Sequence, residues 1–188
     1  MPVIHTNRRG KKHYLHTGPR RSGGVQHFFS TKPDGSLADK IPDGFEIHET
    51  VNAAVYLRRA RPKLIAEDEL EELRRQLKAL KTKVLYRVEA QGREVIIHES
   101  TTGLGLAEAF HGLASPQKIA ESAEKWASYQ AVLRFMLVDK DQRVFAPERF
   151  CFRGSVEDWI PIGPPGTLPE LGRKYFKHLG KDSMFELF

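Results

Sequence analysis

Residues 66–98, AEDELEELRRQLKALKTKVLYRVEAQGREVIIH, decide the fold class, because a helical pattern is followed directly by two strand patterns. In the first part, leucines recur at spacings of three and four from Leu70 to Leu80, which predicts an amphipathic helix. In the second part, apolar and polar side chains alternate on both sides of Gln91-Gly92, which predicts an antiparallel hairpin. A helix joined to such a hairpin indicates the α+β class.

The chain after this stretch continues to mix strands with unevenly placed helices. Ser115-Pro116 has the form of a helix start, and we expect Trp126 on the buried face of that helix. A capping box at Thr167 predicts a helix that stops at Gly180. The predicted elements are helices over 104–113, 115–130 and 167–179 and strands over 132–138 and 143–153. We therefore predict an α+β domain with antiparallel hairpins and three to five helices.

The first 62 residues have a different pattern, with short strands separated by glycine, proline and aspartate turns. Strands are predicted over 11–16, 25–30, 45–48 and 53–58. This pattern is typical of a small antiparallel β module. The charged run that ends at Pro62 suits a boundary between domains, which divides the chain into a module over 1–62 and a domain over 63–188.

The positive charge of the chain is confined to this front module. Residues 1–63 carry twelve Lys and Arg against five Asp and Glu, whereas residues 64–188 carry eighteen against nineteen, so the net charge of +6 belongs to the front. Aromatic side chains lie between the basic ones in the same segment. Cations interleaved with rings are typical of surfaces that contact phosphates and stack on bases.

The leading functional hypothesis is therefore a non-enzymatic protein that binds DNA or RNA through backbone phosphates. The predicted binding residues are Arg8, Arg9, Lys11, Lys12, Tyr14, Arg20, Arg21, Phe28, Arg58, Arg59 and Arg61. If about six of these cations neutralised phosphates on a duplex, the log-log salt slope of binding would be near −5. An acidic protein partner is an alternative occupant of the same surface.

A second hypothesis is an enzyme that acts on an anionic small substrate. In a strand over 143–153, Arg149, Cys151 and Arg153 share one face, where guanidinium groups can bind a phosphate or carboxylate and activate a thiol. His98 and His178 are candidate bases for such a nucleophile if the fold brings either of them close. The simpler interpretation pairs the two arginines with nearby carboxylates and buries Cys151 as a small apolar side chain. No catalytic motif accompanies these residues, so catalysis stays unassigned.

The remaining expectations concern metals, cofactors and compartment. His13 and His16 fall on opposite faces of a strand, and no cysteine or nearby aspartate completes a ligand set, so no metal and no cofactor are predicted. The single cysteine excludes an internal disulfide and suits a reducing compartment. Neither a signal peptide nor an apolar stretch of bilayer length is found in the sequence, so we expect a cytoplasmic protein without membrane contact.

Overall fold

The computed structural model describes residues 1–82, 84–101, 116–153 and 156–187. It divides the chain into two compact units, Met1–Arg61 and Pro62–Phe188, which we call the N-terminal unit and the C-terminal unit. The sheets are antiparallel and are accompanied by helices, so the predicted α+β class is confirmed. In the described part of the chain, no helix has the length and apolar composition needed to cross a bilayer.

The N-terminal unit consists of a three-stranded antiparallel sheet and a two-stranded hairpin. The sheet has the order β1-β2-β3, with β1 (Ile4–Thr6), β2 (Lys12–Pro19) and β3 (Val25–Ser30), and the hairpin pairs β4 (Phe45–Glu49) with β5 (Val55–Arg59). The sequence analysis missed β1, because three residues are too few to show an alternating pattern. Its position is defined by pairing with β2, where Ile4 lies opposite Tyr14.

Polar contacts hold the sheet of the N-terminal unit to its hairpin. The side-chain amide of Asn7, which is buried, donates a hydrogen bond of 2.7 Å to the carbonyl of Ala53. The Glu49 carboxylate accepts a hydrogen bond of 2.7 Å from the backbone N–H of Arg8. Leu15 supplies the largest fully buried apolar side chain of this unit. The small module therefore combines a minimal apolar core with buried hydrogen bonds.

The C-terminal unit is built on a five-stranded antiparallel sheet with the order β10-β9-β8-β7-β6. The strands are β6 (Tyr86–Gln91), β7 (Glu94–Ser100), β8 (Tyr129–Asp139), β9 (Val144–Arg153) and β10 (Val156–Pro161), and the helices are α1 (Glu67–Lys78), α2 (Pro116–Trp126) and α3 (Leu168–Tyr175). Two 3₁₀ turns, Phe176–His178 and Asp182–Met184, follow α3.

Helices α1 and α3 share an apolar core with one face of this sheet. Leu70, Leu73 and Leu77 of α1 are buried, as the leucine spacing predicts. They belong to one cluster with sheet residues such as Phe135. A Cβ atom on Gly172 of α3 would lie 3.0 Å from a methyl group of Leu73, so the two helices approach each other closely.

Three predictions for this unit were wrong. The helix expected to continue to Gln130 ends at Trp126, because Tyr129 already pairs with Ser100 in the sheet. Trp126 is 54% exposed and not buried. The helix expected to reach Leu179 ends at Tyr175 and continues as a 3₁₀ turn. Strand β10 was not predicted, and the helix predicted over 104–113 lies outside the described residues.

Candidate nucleic-acid interface

One face of the three-stranded sheet in the N-terminal unit presents an aromatic surface. His16 of β2 lies opposite Phe28 of β3, and the two rings stack with their centroids 5.4 Å apart and their planes at 13°. Phe28 is 44% exposed, whereas the neighbouring His16 is buried. Cross-strand partners share a face, and alternate residues of a strand do as well, so Lys12 and Tyr14 lie on this face too.

The His16 ring has a fixed position beside Phe28. Its Nε2 atom lies 2.9 Å from the carbonyl oxygen of Lys32, which is in hydrogen-bonding range. The loop after β3 also reaches the edge of β2, where the backbone N–H of Thr17 donates to the carbonyl of Ser36 at 2.9 Å. Because these contacts fix His16, the Phe28 ring that stacks against it is held in one orientation.

The hairpin between β2 and β3 carries two exposed cations at its tip, Arg20 and Arg21. Gly23 and Gly24 adopt φ values of 87° and 86°, which suit glycine and reverse the chain tightly. The backbone N–H of Arg20 donates to the carbonyl of Gly24 at 3.0 Å and closes the turn. The tip therefore places two guanidinium groups at the end of the strands that carry the aromatic surface.

The opposite face of the sheet is occupied by internal contacts. His5 and His13 lie opposite each other, and His5 Nε2 is 2.7 Å from a carboxylate oxygen of Glu49. Burial lowers the pKa of His13, and the charge of Lys11 acts in the same direction. These histidines therefore contribute to packing of the module, whereas the opposite face carries the exposed ring of Phe28.

The predicted phosphate-binding cations fall into three groups. Arg8 and Arg58 are engaged inside the module: the Arg8 guanidinium donates to the carbonyl of Val51 at 2.7 and 3.1 Å, and Arg58 pairs with Glu46 at 2.8 Å. Arg9 is half-buried. The exposed cations are Lys11, Lys12, Arg20, Arg21, Arg59 and Arg61, and none of these six forms an ion pair with a described carboxylate. Arg59 lies over the ring of Phe45, 5.8 Å from its centroid.

The four residues of the alternative anion pocket do not meet on one face of the sheet in the C-terminal unit. Arg149 and Cys151 share the face of β9 that the helices cover, since Arg149 lies opposite the core residue Leu133. His98 lies on the other face, because its neighbour Ile97 belongs to the core. His98 Nε2 is 3.2 Å from a carboxylate oxygen of Glu89, although the two groups are poorly aligned for a hydrogen bond.

The two remaining observations on that pocket concern Arg153 and Cys151. Arg153 is the last residue of β9, and its side chain lies outside the described part of the structure. Cys151 is a half-buried thiol without a disulfide partner. The carboxylates suggested as partners by the simpler interpretation do not pair with Arg149, which forms no ion pair with any described residue.

The sequence analysis named Tyr14, Phe28 and the exposed cations as binding residues but did not include His16, which stacks with Phe28. The signal was present in the spacing of residues 12, 14 and 16, which alternation places on one face. The register that sets His16 opposite Phe28 depends on the length of the loop between the strands.

Comparisons with known proteins add nothing to these observations: the chain matches no protein-family model, no curated protein and no solved structure. Functional inference therefore starts from the side chains themselves. Two features are available for it, the exposed aromatic and basic surface of the N-terminal unit and the buried arginine of the C-terminal unit.

Proposed function

We propose that the N-terminal unit binds single-stranded nucleic acid. The observation that carries this proposal is the partly exposed ring of Phe28, which stacks against the ring of its cross-strand neighbour, the buried His16. A partly exposed ring held in one orientation can stack on a base, and such stacking is largely independent of base identity. Lys12 on the same face and Arg20 and Arg21 at the hairpin tip are cations within the reach of the flanking phosphates.

The charge of the N-terminal unit supports an anionic polymer as the ligand. Residues 1–61 contain eleven Lys and Arg against five Asp and Glu, so this unit accounts for the whole formal charge of +6. Two of its five carboxylates, Glu46 and Glu49, are engaged with Arg58 and His5. Neighbouring carboxylates therefore offset the positive electrostatic potential over the exposed cations only weakly. This potential favours binding of a polyanion.

The test is a salt series of fluorescence anisotropy measurements with labelled oligo(dT), oligo(rU) and a matched duplex. If Lys12, Arg20 and Arg21 contact phosphates of a single strand, the log-log salt slope should be about −2. Phe28→Ala should weaken binding by the free energy of stacking one base, about 1–3 kcal/mol, and leave the salt slope unchanged. Arg20→Gln with Arg21→Gln should reduce the slope by about 1.4.

A matched control removes two exposed lysines of the C-terminal unit, Lys78→Gln with Lys140→Gln, and should leave the slope unchanged. Absence of binding at low salt would contradict the proposal. Binding that is insensitive to Phe28→Ala and equally strong for poly-glutamate would contradict it as well, and would favour an acidic protein partner instead.

A further inference from the structure

The C-terminal unit contains a cavity of about 680 Å³ between the sheet and the chain that follows α3. Strands β7, β8 and β9 form one wall, and residues 179–185 form the other. Most of the lining is apolar, and its larger side chains are Val132, Phe150, Leu179, Met184 and Phe185. The volume of the cavity is within the range of sites for small molecules.

Glu99 places a half-buried carboxyl group in this apolar lining. Burial raises the pKa of the carboxyl, because the apolar surroundings hydrate its ionised form poorly. Glu99 forms no ion pair with any described residue, whereas the half-buried Glu69 and Glu148 of the same unit pair with Arg143 and Arg134. A carboxylate in this position is stabilised by a cation.

The hydroxyl of Tyr86 lies at the same end of the cavity. Tyr86 and Gln130 are the cross-strand partners of Glu99, so the three residues form one row across β6, β7 and β8. A Cβ atom on Gly180, which lines the cavity, would lie 3.2 Å from the Tyr86 hydroxyl. This hydroxyl is buried without a well-formed hydrogen bond, and burial together with the charge of Glu99 raises the pKa of Tyr86 to about 12. Two polar groups that lack partners therefore meet at this end of the cavity.

The other charges nearby do not offset this carboxylate. Lys181 and Asp182 also line the cavity, but they are consecutive, exposed and opposite in sign, so they cancel each other. The buried Arg149 is not part of the lining. It pairs with Leu133, which is three residues, or about 10 Å, along β8 from Gln130. The inner end of the cavity is therefore negative.

We propose that this cavity binds a small organic amine, with its ammonium group on the Glu99 carboxylate and its apolar body against Val132 and Met184. The ammonium group supplies the missing counter-charge and has a further N–H donor for the oxygen of the Tyr86 hydroxyl. Aromatic rings attract cations, and the ring of Phe185 belongs to the same lining. The site is in the C-terminal unit and does not depend on the proposed nucleic-acid surface.

The test uses benzylamine as the probe and the full chain with ¹³C in the methionine methyl groups. Met184 lines the cavity, whereas Met1 and Met136 do not and serve as internal references. Near neutral pH, benzylamine should shift the Met184 methyl resonance in a saturable manner, with a Kd of about 10 mM or below. Benzyl alcohol, which has the same shape without the charge, and benzoate, which has the opposite charge, should each bind at least about tenfold more weakly.

Glu99→Gln keeps the size of the side chain and should remove the preference for benzylamine over benzyl alcohol. The matched control Glu71→Gln, at an exposed carboxylate of α1, should leave that preference unchanged. Lys181→Gln should change the affinity for benzylamine by no more than about threefold, because an exposed charge is screened by solvent. In the unmodified protein, benzylamine binding should weaken as the pH falls toward 4.5, since protonation of Glu99 removes its charge.

Unchanged resonances of Met1 and Met136 in each variant verify that the fold persists. Three results would overturn the proposal. The first is no shift of Met184 by benzylamine, and the second is binding of benzyl alcohol or benzoate as tight as that of benzylamine. The third is an undiminished preference for benzylamine in Glu99→Gln, which would mean that another group attracts the cation.

Discussion

The two units differ in how they are stabilised, and the difference bears on their roles. Among the described residues, the N-terminal unit buries four apolar side chains, Leu15, Ala38, Ala53 and Val55, whereas the C-terminal unit buries twenty. The N-terminal unit also carries the entire net charge. A domain of about 60 residues is marginal in apolar burial. The aromatic rings and cations on its surface therefore do not form a core. Their exposure suits a role in binding.

The prediction with the largest expected effect replaces one buried leucine by alanine in each unit. Leu15→Ala and Leu133→Ala each remove a leucine with no exposed surface, at a cost of about 2–5 kcal/mol. We expect the N-terminal unit to unfold at 25 °C in the first variant, because its core has few other large side chains. The C-terminal unit should stay folded in the second variant with a lower urea midpoint.

Two probes separate these effects. Both tryptophans, Trp126 and Trp159, belong to the C-terminal unit, so their fluorescence in urea reports on that unit. Hydrogen exchange of peptides from residues 1–61 reports on the N-terminal unit. Unchanged exchange protection of those peptides in Leu15→Ala would show that the two units are stabilised in the same way.

A prediction with a smaller expected loss of stability compares alanine substitutions at Gly163 in the C-terminal unit and at Gly44 in the N-terminal unit. Both have positive φ, 153° and 76°, so alanine should cost roughly 1–3 kcal/mol of backbone strain at either position. At Gly163 the new Cβ would also lie 2.3 Å from the hydroxyl of Tyr175, which is fully buried and donates to the carbonyl of Ile162. At Gly44 the added Cβ would meet no atom within 4 Å.

Gly163→Ala should therefore destabilise by a further 1–3 kcal/mol or so, the cost of overpacking a dense core. Urea midpoints followed by tryptophan fluorescence for Gly163→Ala, and by hydrogen exchange for Gly44→Ala, measure the two costs. Equal costs would mean that the core around Tyr175 relaxes as easily as the surface of the small module.

The sequence predicted the elements that have a local cause. Helix α1 followed from the spacing of Leu70, Leu73 and Leu77, which are buried in the structure. The face shared by Tyr14 and His16 followed from alternation along β2. The helix over 115–130 was extended too far, because pairing of Tyr129 with β7 overrode a continuous helical pattern.

The candidate sites depended on contacts that no local pattern contains. Alternation placed Arg149 and Cys151 on one face, but it could not show that Arg149 is buried beside Phe185, 36 residues later in the chain. It also gave no information about which face His98 occupies relative to them, because that depends on the order of strands in the sheet. The pairing of β8 with β9 ends at Leu133 and Arg149, and no local pattern in the sequence contains this end point either.

The smallest expected difference between the units is in pH dependence, where His13 and Glu99 act with opposite signs. Burial is the leading cause for both: it lowers the pKa of His13 from 6.5 and raises the pKa of Glu99 from 4.5. The unfolded chain protonates His13 before the folded chain does, so stability is lost as the pH falls through 6.5. The folded chain retains the Glu99 proton longer, so stability is lost as the pH rises from 4.5.

Neutral replacements should show these two effects as opposite trends. Glu99→Gln should gain stability relative to the unmodified protein as the pH rises above 4.5, because glutamine cannot ionise. His13→Gln should gain relative stability as the pH falls below 6.5, for the corresponding reason. Urea titrations across this range, read by tryptophan fluorescence for Glu99 and by hydrogen exchange for His13, measure both trends. If the two differences followed pH in the same direction, burial would not be the dominant cause at one of the two sites.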